Sequence, residues 1–99
     1  MSHMSRLYVL CRLDLQTTYA AVQGGHAVAQ HLIDYPDRWR NQTLIYLGVK
    51  NEEELLKWRD KLIMKSIPYS LFREPDLNND ATALAVALDT GMFDKLPLL

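Results

Sequence analysis

Hydrophobic positions along the chain form short continuous runs that alternate with helically spaced stripes. Residues 7–11 are apolar at five successive positions, which predicts a strand buried on both faces. Similar runs at residues 43–49, 69–72 and 81–88 predict three further strands. These runs supply the sheet, and the stripes between them supply the helices.

The first helix is predicted over residues 19–33, which contain no proline. Thr17 or Thr18 is its expected N-cap, because a hydroxyl can accept a free backbone N–H of the first turn. Pro36 ends it, since the residue before a proline avoids the helical region. The side chains that fall at helical spacing are Val22, Gly25, Ala29, Leu32 and Ile33.

The second helix is predicted to begin after Asn51, with Glu54 three residues later in a variant of the capping box. Glutamates fill its first turn and lysines lie near its end, which suits the helix dipole. Its predicted buried stripe is Leu55, Leu56, Trp58, Leu62 and Ile63. In the polar connector between the first helix and the second strand, Trp39 is expected to anchor the chain to the core.

The element order β-α-β-α-β-β predicts a single α/β domain over residues 5–99, built as three α/β/α layers around a four-stranded mixed sheet. Two right-handed crossovers make the first three strands parallel. The link to the fourth strand is too short for a crossover, so that strand runs antiparallel. Placed between strands one and three, it gives the order 2-1-4-3. Residues 1–4 are interpreted as a cloning remnant.

Composition and charge restrict the partners. The 99 residues carry a net charge of −1, so a polyanion would have to meet a local basic patch. The single cysteine, Cys11, excludes an internal disulfide and the common cysteine zinc sites. One thiol and no secretory leader indicate a cytoplasmic setting. No apolar run approaches the roughly 18 residues of a membrane span, so no membrane partner is predicted.

Chemistry-bearing side chains gather at the carboxyl ends of strands one and three, the edge where open α/β sheets bind ligands. Arg12 and Arg73 follow those strands and can bind phosphate, as can the free N–H groups that start the first helix. Gln23 and His26 are three apart and share a helix face. A histidine beside carboxylates can act as a general base, and the carboxylates predicted at this edge are Asp14, Glu74, Asp76 and Asp80.

Several of these features also have a plain structural interpretation. Gly24 and Gly25 in mid-helix fit either close packing on the sheet or an approach path for substrate. Cys11 reads as a buried strand residue rather than a nucleophile. His31 is five residues from His26 and lies on another helix face, which argues against a shared metal.

Three motifs together resemble a known family. They are Asp14-Leu15 after the first strand, the helix segment from Ala20 to Ala27 with Gln23 and His26, and Arg73-Glu74-Pro75-Asp76-Leu77 before Thr82. With these motifs the chain resembles the type II peptidyl-tRNA hydrolases, which are the archaeal and eukaryotic type. The form of the third motif resembles a bacterial or phage branch of that family. The resemblance spans residue 6 to about residue 88, and the family's four-stranded mixed sheet between helices agrees with the predicted fold.

The resemblance implies hydrolysis of the ester between a peptide and the terminal ribose of tRNA, without a metal or organic cofactor. His26, Gln23 and Thr82 match the family's site directly, and its aspartate is replaced by Glu74 or displaced to Asp76. His26 would activate water, a carboxylate would orient His26, and Gln23, Thr82 or helix N–H groups would steady the oxyanion. The substrate-binding residues are expected to be Arg12, Asp14, Thr17, Thr18 and Arg73.

One departure keeps a second function open. The family usually has lysines after Asp-Leu, where this chain has Gln16, Thr17 and Thr18. A non-catalytic module of the same fold that binds tRNA or a protein is therefore the alternative. A homodimer stays open as well.

Overall fold

The computed structural model describes residues 5–40 and 42–99, so the segment interpreted as a cloning remnant, residues 1–4, lies outside the described residues. Every predicted strand and helix is found, with ends that differ by a few residues. In chain order they are β1 (Arg6–Arg12), α1 (Thr17–Asp34), β2 (Leu44–Val49), α2 (Glu52–Met64), β3 (Ser70–Glu74), a short 3-10 turn (Pro75–Leu77) and β4 (Asp80–Leu88).

The sheet has the order β2-β1-β4-β3, which confirms the predicted topology. β2 is parallel to β1, and β4 is antiparallel to both β1 and β3. The link from β3 to β4 is a hairpin, as expected from its length. Asn78 and Asn79 adopt positive φ angles of 53° and 63° there, a conformation that asparagine tolerates better than most residues.

The two helices cover opposite faces of the sheet, as predicted. Alternate residues of β1 separate the cores, because successive side chains of a strand point to opposite faces. Val9 and Cys11 pack with Ala20 of α1, whereas Leu10 packs with Leu55 of α2. The α1 face of β4 is lined by three alanines, Ala83, Ala85 and Ala87, so α1 can approach the sheet closely.

The apolar positions that indicate α1 are not the ones that it buries. Val22 and Ile33 are 54% and 74% exposed, and the residues buried against the sheet are Ala20, Gln23, Gly24, Ala27 and His31. A Cβ at Gly24 would lie 2.6 Å from the Tyr46 ring, which settles its role as packing. A Cβ at Gly25 would meet nothing within 4 Å.

Helix capping follows the prediction for α2 and departs from it for α1. Asn51 accepts the Glu54 N–H at 3.0 Å, as expected. The N-cap of α1 is Gln16, whose side chain accepts the Tyr19 N–H at 3.3 Å. The prediction of Thr17 or Thr18 was wrong because the helix begins earlier than its apolar spacing indicates. Ile63, placed in the buried stripe of α2, is 54% exposed.

The chain after β4 closes the open edge of β2. Phe93 enters the core on the α2 face and packs edge-on against Tyr8 and Trp58. The last residues then run antiparallel to β2, where Gly48 N–H donates to Pro97 O and Leu99 N–H donates to Tyr46 O. Trp39 packs against the core on the α1 face, as predicted. No helix within residues 5–40 and 42–99 is long and apolar enough to cross a membrane.

Candidate active site

A chain of three side chains joins β4, α1 and β3 at the predicted edge. The Thr82 hydroxyl donates to Gln23 Oε1 at 2.7 Å, and Gln23 Nε2 donates to Glu74 Oε1 at 2.9 Å. Thr82 and Gln23 are fully buried, and Glu74 is half-buried. Because the hydroxyl must donate and the carboxylate must accept, the Gln23 amide has one orientation.

The second oxygen of Glu74 is held by the hairpin. Glu74 Oε2 accepts the backbone N–H of Asp76 at 3.1 Å and caps the 3-10 turn. The pKa of Glu74 is lowered, chiefly by the hydrogen bond from Gln23, then by the Asp76 N–H, and also by the charge of His26. Glu74 is therefore a carboxylate at neutral pH, with one oxygen directed to α1 and the other to its own turn.

His26 lies beside this carboxylate on the next turn of α1. Its ring stacks on Phe72 of β3, with ring centres 4.6 Å apart and an angle of 11° between the planes. His26 is exposed, and its charge acts on Glu74. An exposed imidazole next to a fixed carboxylate can accept a proton from water and be stabilised once charged.

Tyr19, which the sequence analysis did not place at the site, lies near enough to its carboxylates for their charges to act on it. Its phenol pKa is raised by partial burial and by the negative charges of Glu74 and Asp76, so the hydroxyl keeps its proton beside these carboxylates. Tyr19 is four residues before Gln23 and seven before His26, and that helical spacing was a signal that could have found it.

Arg12 and Asp14, both predicted to bind substrate, bind each other instead of standing free. Arg12 Nε and Nη2 donate to the two oxygens of Asp14 at 2.9 and 2.8 Å. Its Nη1 donates to Asp80 at 3.4 Å and to the Ala81 carbonyl at 3.1 Å. The Arg12 side chain is only 9% exposed, and its guanidinium lowers the pKa of Asp14.

The remaining predicted substrate-binding residues are on the surface. Arg73 is exposed, and its Nη1 donates to the Asn79 carbonyl at 3.3 Å. Thr17 and Thr18 are exposed in the first turn of α1. The fold therefore brings His26, Gln23, Glu74, Thr82 and the Asp76 backbone into one cluster and leaves Arg12 and Asp14 in a separate ion pair.

Two other potentially reactive side chains, Cys11 and His31, are buried. Cys11 is fully buried, and burial raises the pKa of its thiol to about 12, so it does not form the thiolate a nucleophile needs. His31 is buried and contacts Ser70 rather than His26. Among the described residues, no group of three or more His, Cys, Asp or Glu side chains could hold a metal ion.

Comparison with known proteins adds support for the fold. No protein-family model matches the chain, and no curated protein matches it. Among solved structures, it is similar to Atu0240, a protein of unknown function from Agrobacterium tumefaciens strain C58. The TM-score is 0.73 at 14% sequence identity, over 96% of this chain and 97% of that one. At that identity the likeness extends to the fold alone.

Proposed function

We propose that the protein hydrolyses the ester bond that joins a peptide to the terminal ribose of tRNA. The observation that carries the proposal is the hydrogen-bonded chain from Thr82 through Gln23 to Glu74, with exposed His26 beside it. The resemblance of these residues to those of type II peptidyl-tRNA hydrolases supports the choice of substrate. The sole cysteine, Cys11, supports a cytoplasmic setting, where tRNA is found.

In the proposed reaction, His26 accepts a proton from water while the water oxygen attacks the ester carbonyl. The carbonyl electrons move to oxygen and form a tetrahedral oxyanion. When this collapses, the bond to the ribose oxygen breaks, and the ribose oxygen takes the proton from His26. Ionised Glu74 stabilises the charged imidazolium between these two steps.

Thr82 and Gln23 act through Glu74 in this scheme. The Thr82 hydroxyl proton is engaged by Gln23 at 2.7 Å, so Thr82 is a positioning residue. Gln23 Nε2 carries two N–H groups, and its bond to Glu74 uses one of them. That amide is fully buried, so Gln23 positions Glu74 rather than touching substrate, and the partly exposed, protonated Tyr19 hydroxyl is the donor for a developing oxyanion in this scheme.

Recognition of the RNA backbone falls to Arg73 in this proposal, because the donors of Arg12 are engaged by Asp14, Asp80 and Ala81. Few phosphate contacts are then available, so binding is weak. It also weakens further with salt, since each contact releases counterions.

The test is cleavage of an N-blocked aminoacyl-tRNA by the purified protein. His26→Ala should lower turnover by about 100-fold or more, the usual contribution of a general acid–base group, and Glu74→Gln should lower it as well. Gln30→Ala is the matched control, since Gln30 lies one turn beyond His26 and bonds only Asp34 among the described residues. The proposal fails if the wild-type protein cleaves no faster than His26→Ala.

A non-catalytic module that binds tRNA or a protein is the second candidate function. It is favoured by the link from β1 to α1, where Gln16, Thr17 and Thr18 stand in place of the family's lysines. In that case the wild-type protein retards the same tRNA in a gel without cleaving it. The His26→Ala variant then binds it and is equally inactive.

A further inference from the structure

The His26 ring has one covered face and one open face. Phe72 stacks on the first in nearly parallel geometry, 11° from coplanar. The residue as a whole remains exposed, and among the described residues the only ring that contacts His26 is Phe72, which leaves the second face for a ligand. Phe72 itself packs against the core on the α1 face, whereas the exposed imidazole stacked on it is not needed to fill that core.

Three helix residues next to His26 have apolar side chains or, at Gly25, no side chain. Val22, four residues before His26, is 54% exposed, and Ala29, three residues after it, is also exposed. Gly25 lacks any packing reason, because a Cβ there would meet nothing within 4 Å. Glycine in mid-helix weakens the helix relative to alanine, so the free space beside His26 is not explained by the fold.

We propose that the open face of His26 stacks a nucleobase, that of the nucleotide whose ribose carries the ester. This rests on the proposed function and adds the group that the site recognises. Unpaired bases at the ends of single-stranded RNA are commonly read by stacking on aromatic side chains. Stacking also supplies affinity for RNA where few cations are available. This protein has a net charge of −1, and its Arg12 is bonded to Asp14.

The two roles of His26 use different parts of its ring. The face stacks the base, while the nitrogens at the edge carry the proton. A base held on the face brings the attached ribose to the edge of the ring, and the Glu74 carboxylate is near enough for the charge of His26 to act on it. His26→Phe keeps a planar ring and removes both nitrogens, so it separates the two roles, whereas His26→Ala removes both.

The experiment measures affinity for two short single-stranded RNAs, identical except that one ends in adenosine and the other in an abasic ribose. At fixed salt, the wild-type protein should bind the adenosine end about tenfold more tightly, on the scale of one base–aromatic stack. His26→Phe should keep this ratio, and His26→Ala should reduce it to near one. His26 is exposed, so both variants should fold, and Gln30→Ala serves as the matched control.

The outcomes separate this inference from the proposed function. Equal binding of the two RNAs, or binding of neither, overturns the inference even if the ester is cleaved. A ratio that is lost in His26→Phe as fully as in His26→Ala overturns it too. Preference for the adenosine end without any ester cleavage upholds the inference while the proposed hydrolase function fails.

Discussion

Gln23 is a buried amide on the helix face that packs against the sheet, a position where an apolar side chain is usual. It is accommodated because it accepts from Thr82 and donates to Glu74, so both the oxygen and the nitrogen of its amide have a partner. The Gln23 side chain therefore connects buried Thr82 to the half-buried carboxylate of Glu74.

Replacing Gln23 should release the carboxylate of Glu74. In Gln23→Leu we expect the pKa of Glu74 to rise toward its ordinary value, because the lost hydrogen bond is the largest cause of its depression. Side-chain carboxyl NMR during an acid titration measures this. Gln30→Leu, the same change on the exposed side of α1, should leave Glu74 unaltered. An unchanged titration in Gln23→Leu would show that the Asp76 N–H alone holds the carboxylate.

Single residues of this site were only partly predictable. Gln23 and His26 are visible in the sequence because three-residue spacing puts them on one helix face. Their partners are not, because Glu74 and Thr82 are 51 and 59 residues from Gln23, and only the completed sheet brings them together. The pairing of Arg12 with Asp14 was missed although the two are neighbours, since charge alone does not distinguish a free guanidinium from an engaged one.

At the scale of elements, α1 carries two adjacent glycines in opposite environments. We expect Gly24→Ala to lower the free energy of unfolding by about 1–3 kcal/mol, because its Cβ would press on the Tyr46 ring and on Cys11. Gly25→Ala should raise it by about 0.5–1 kcal/mol, since the space is open and alanine favours the helix. Urea denaturation of the two variants measures both. Equal signs for the two changes would contradict this account.

The hydrophobic pattern predicts the existence of α1 but not which of its faces is buried. The face of α1 that packs against the sheet carries Gln23, Gly24 and Ala27 rather than the apolar residues whose spacing identifies the helix. The facing surface of β4 is made of alanines, which leave room for a close approach by Gly24 and Ala27. Val22 and Ile33 therefore remain outside. On the α2 face, β1 presents larger side chains such as Leu10. There the helix residues Leu55 and Leu62 are buried as predicted.

At the scale of the whole molecule, polar contacts join α1 to β3 near both ends of the strand. Besides Gln23 and Glu74, the Ser70 hydroxyl donates to Asp34 Oδ2 at 2.9 Å and lies 3.1 Å from His31 Nδ1. Since Ser70 gives its proton to Asp34, Nδ1 of His31 must donate to Ser70. This leaves Nε2 without a proton and, among the described residues, without a partner.

This arrangement makes stability depend on pH. Burial, and to a lesser extent Arg38, lowers the pKa of His31 below its ordinary 6.5, against the opposing effect of Asp34. The unfolded chain then takes up the proton first, so the free energy of unfolding should fall as pH drops from about 6.5 to the folded pKa. Urea denaturation at pH 7.5 and 5.5 measures the difference. In His31→Asn, which keeps a donor toward Ser70 and does not titrate, the difference should shrink; no change would contradict this.

The global topology was predictable because connection lengths decide it. Two links long enough for crossovers and one short hairpin leave few arrangements of four strands, and β4 takes the central place beside β1. The antiparallel pairing of Pro97 and Leu99 with β2 was not predictable. A three-residue apolar segment carries no periodicity, and its position depends on Phe93 already lying in the core.

The buried thiol of Cys11 has a practical consequence. It is the only cysteine of the chain, and its pKa of about 12 and full burial keep it unreactive toward maleimides while the protein is folded. A cysteine introduced at Gly25, where the surroundings are open, would thus be the single labelling position. A fluorophore there would sit one residue from His26 in the open space beside its ring, so its emission should change when a ligand competes for that space.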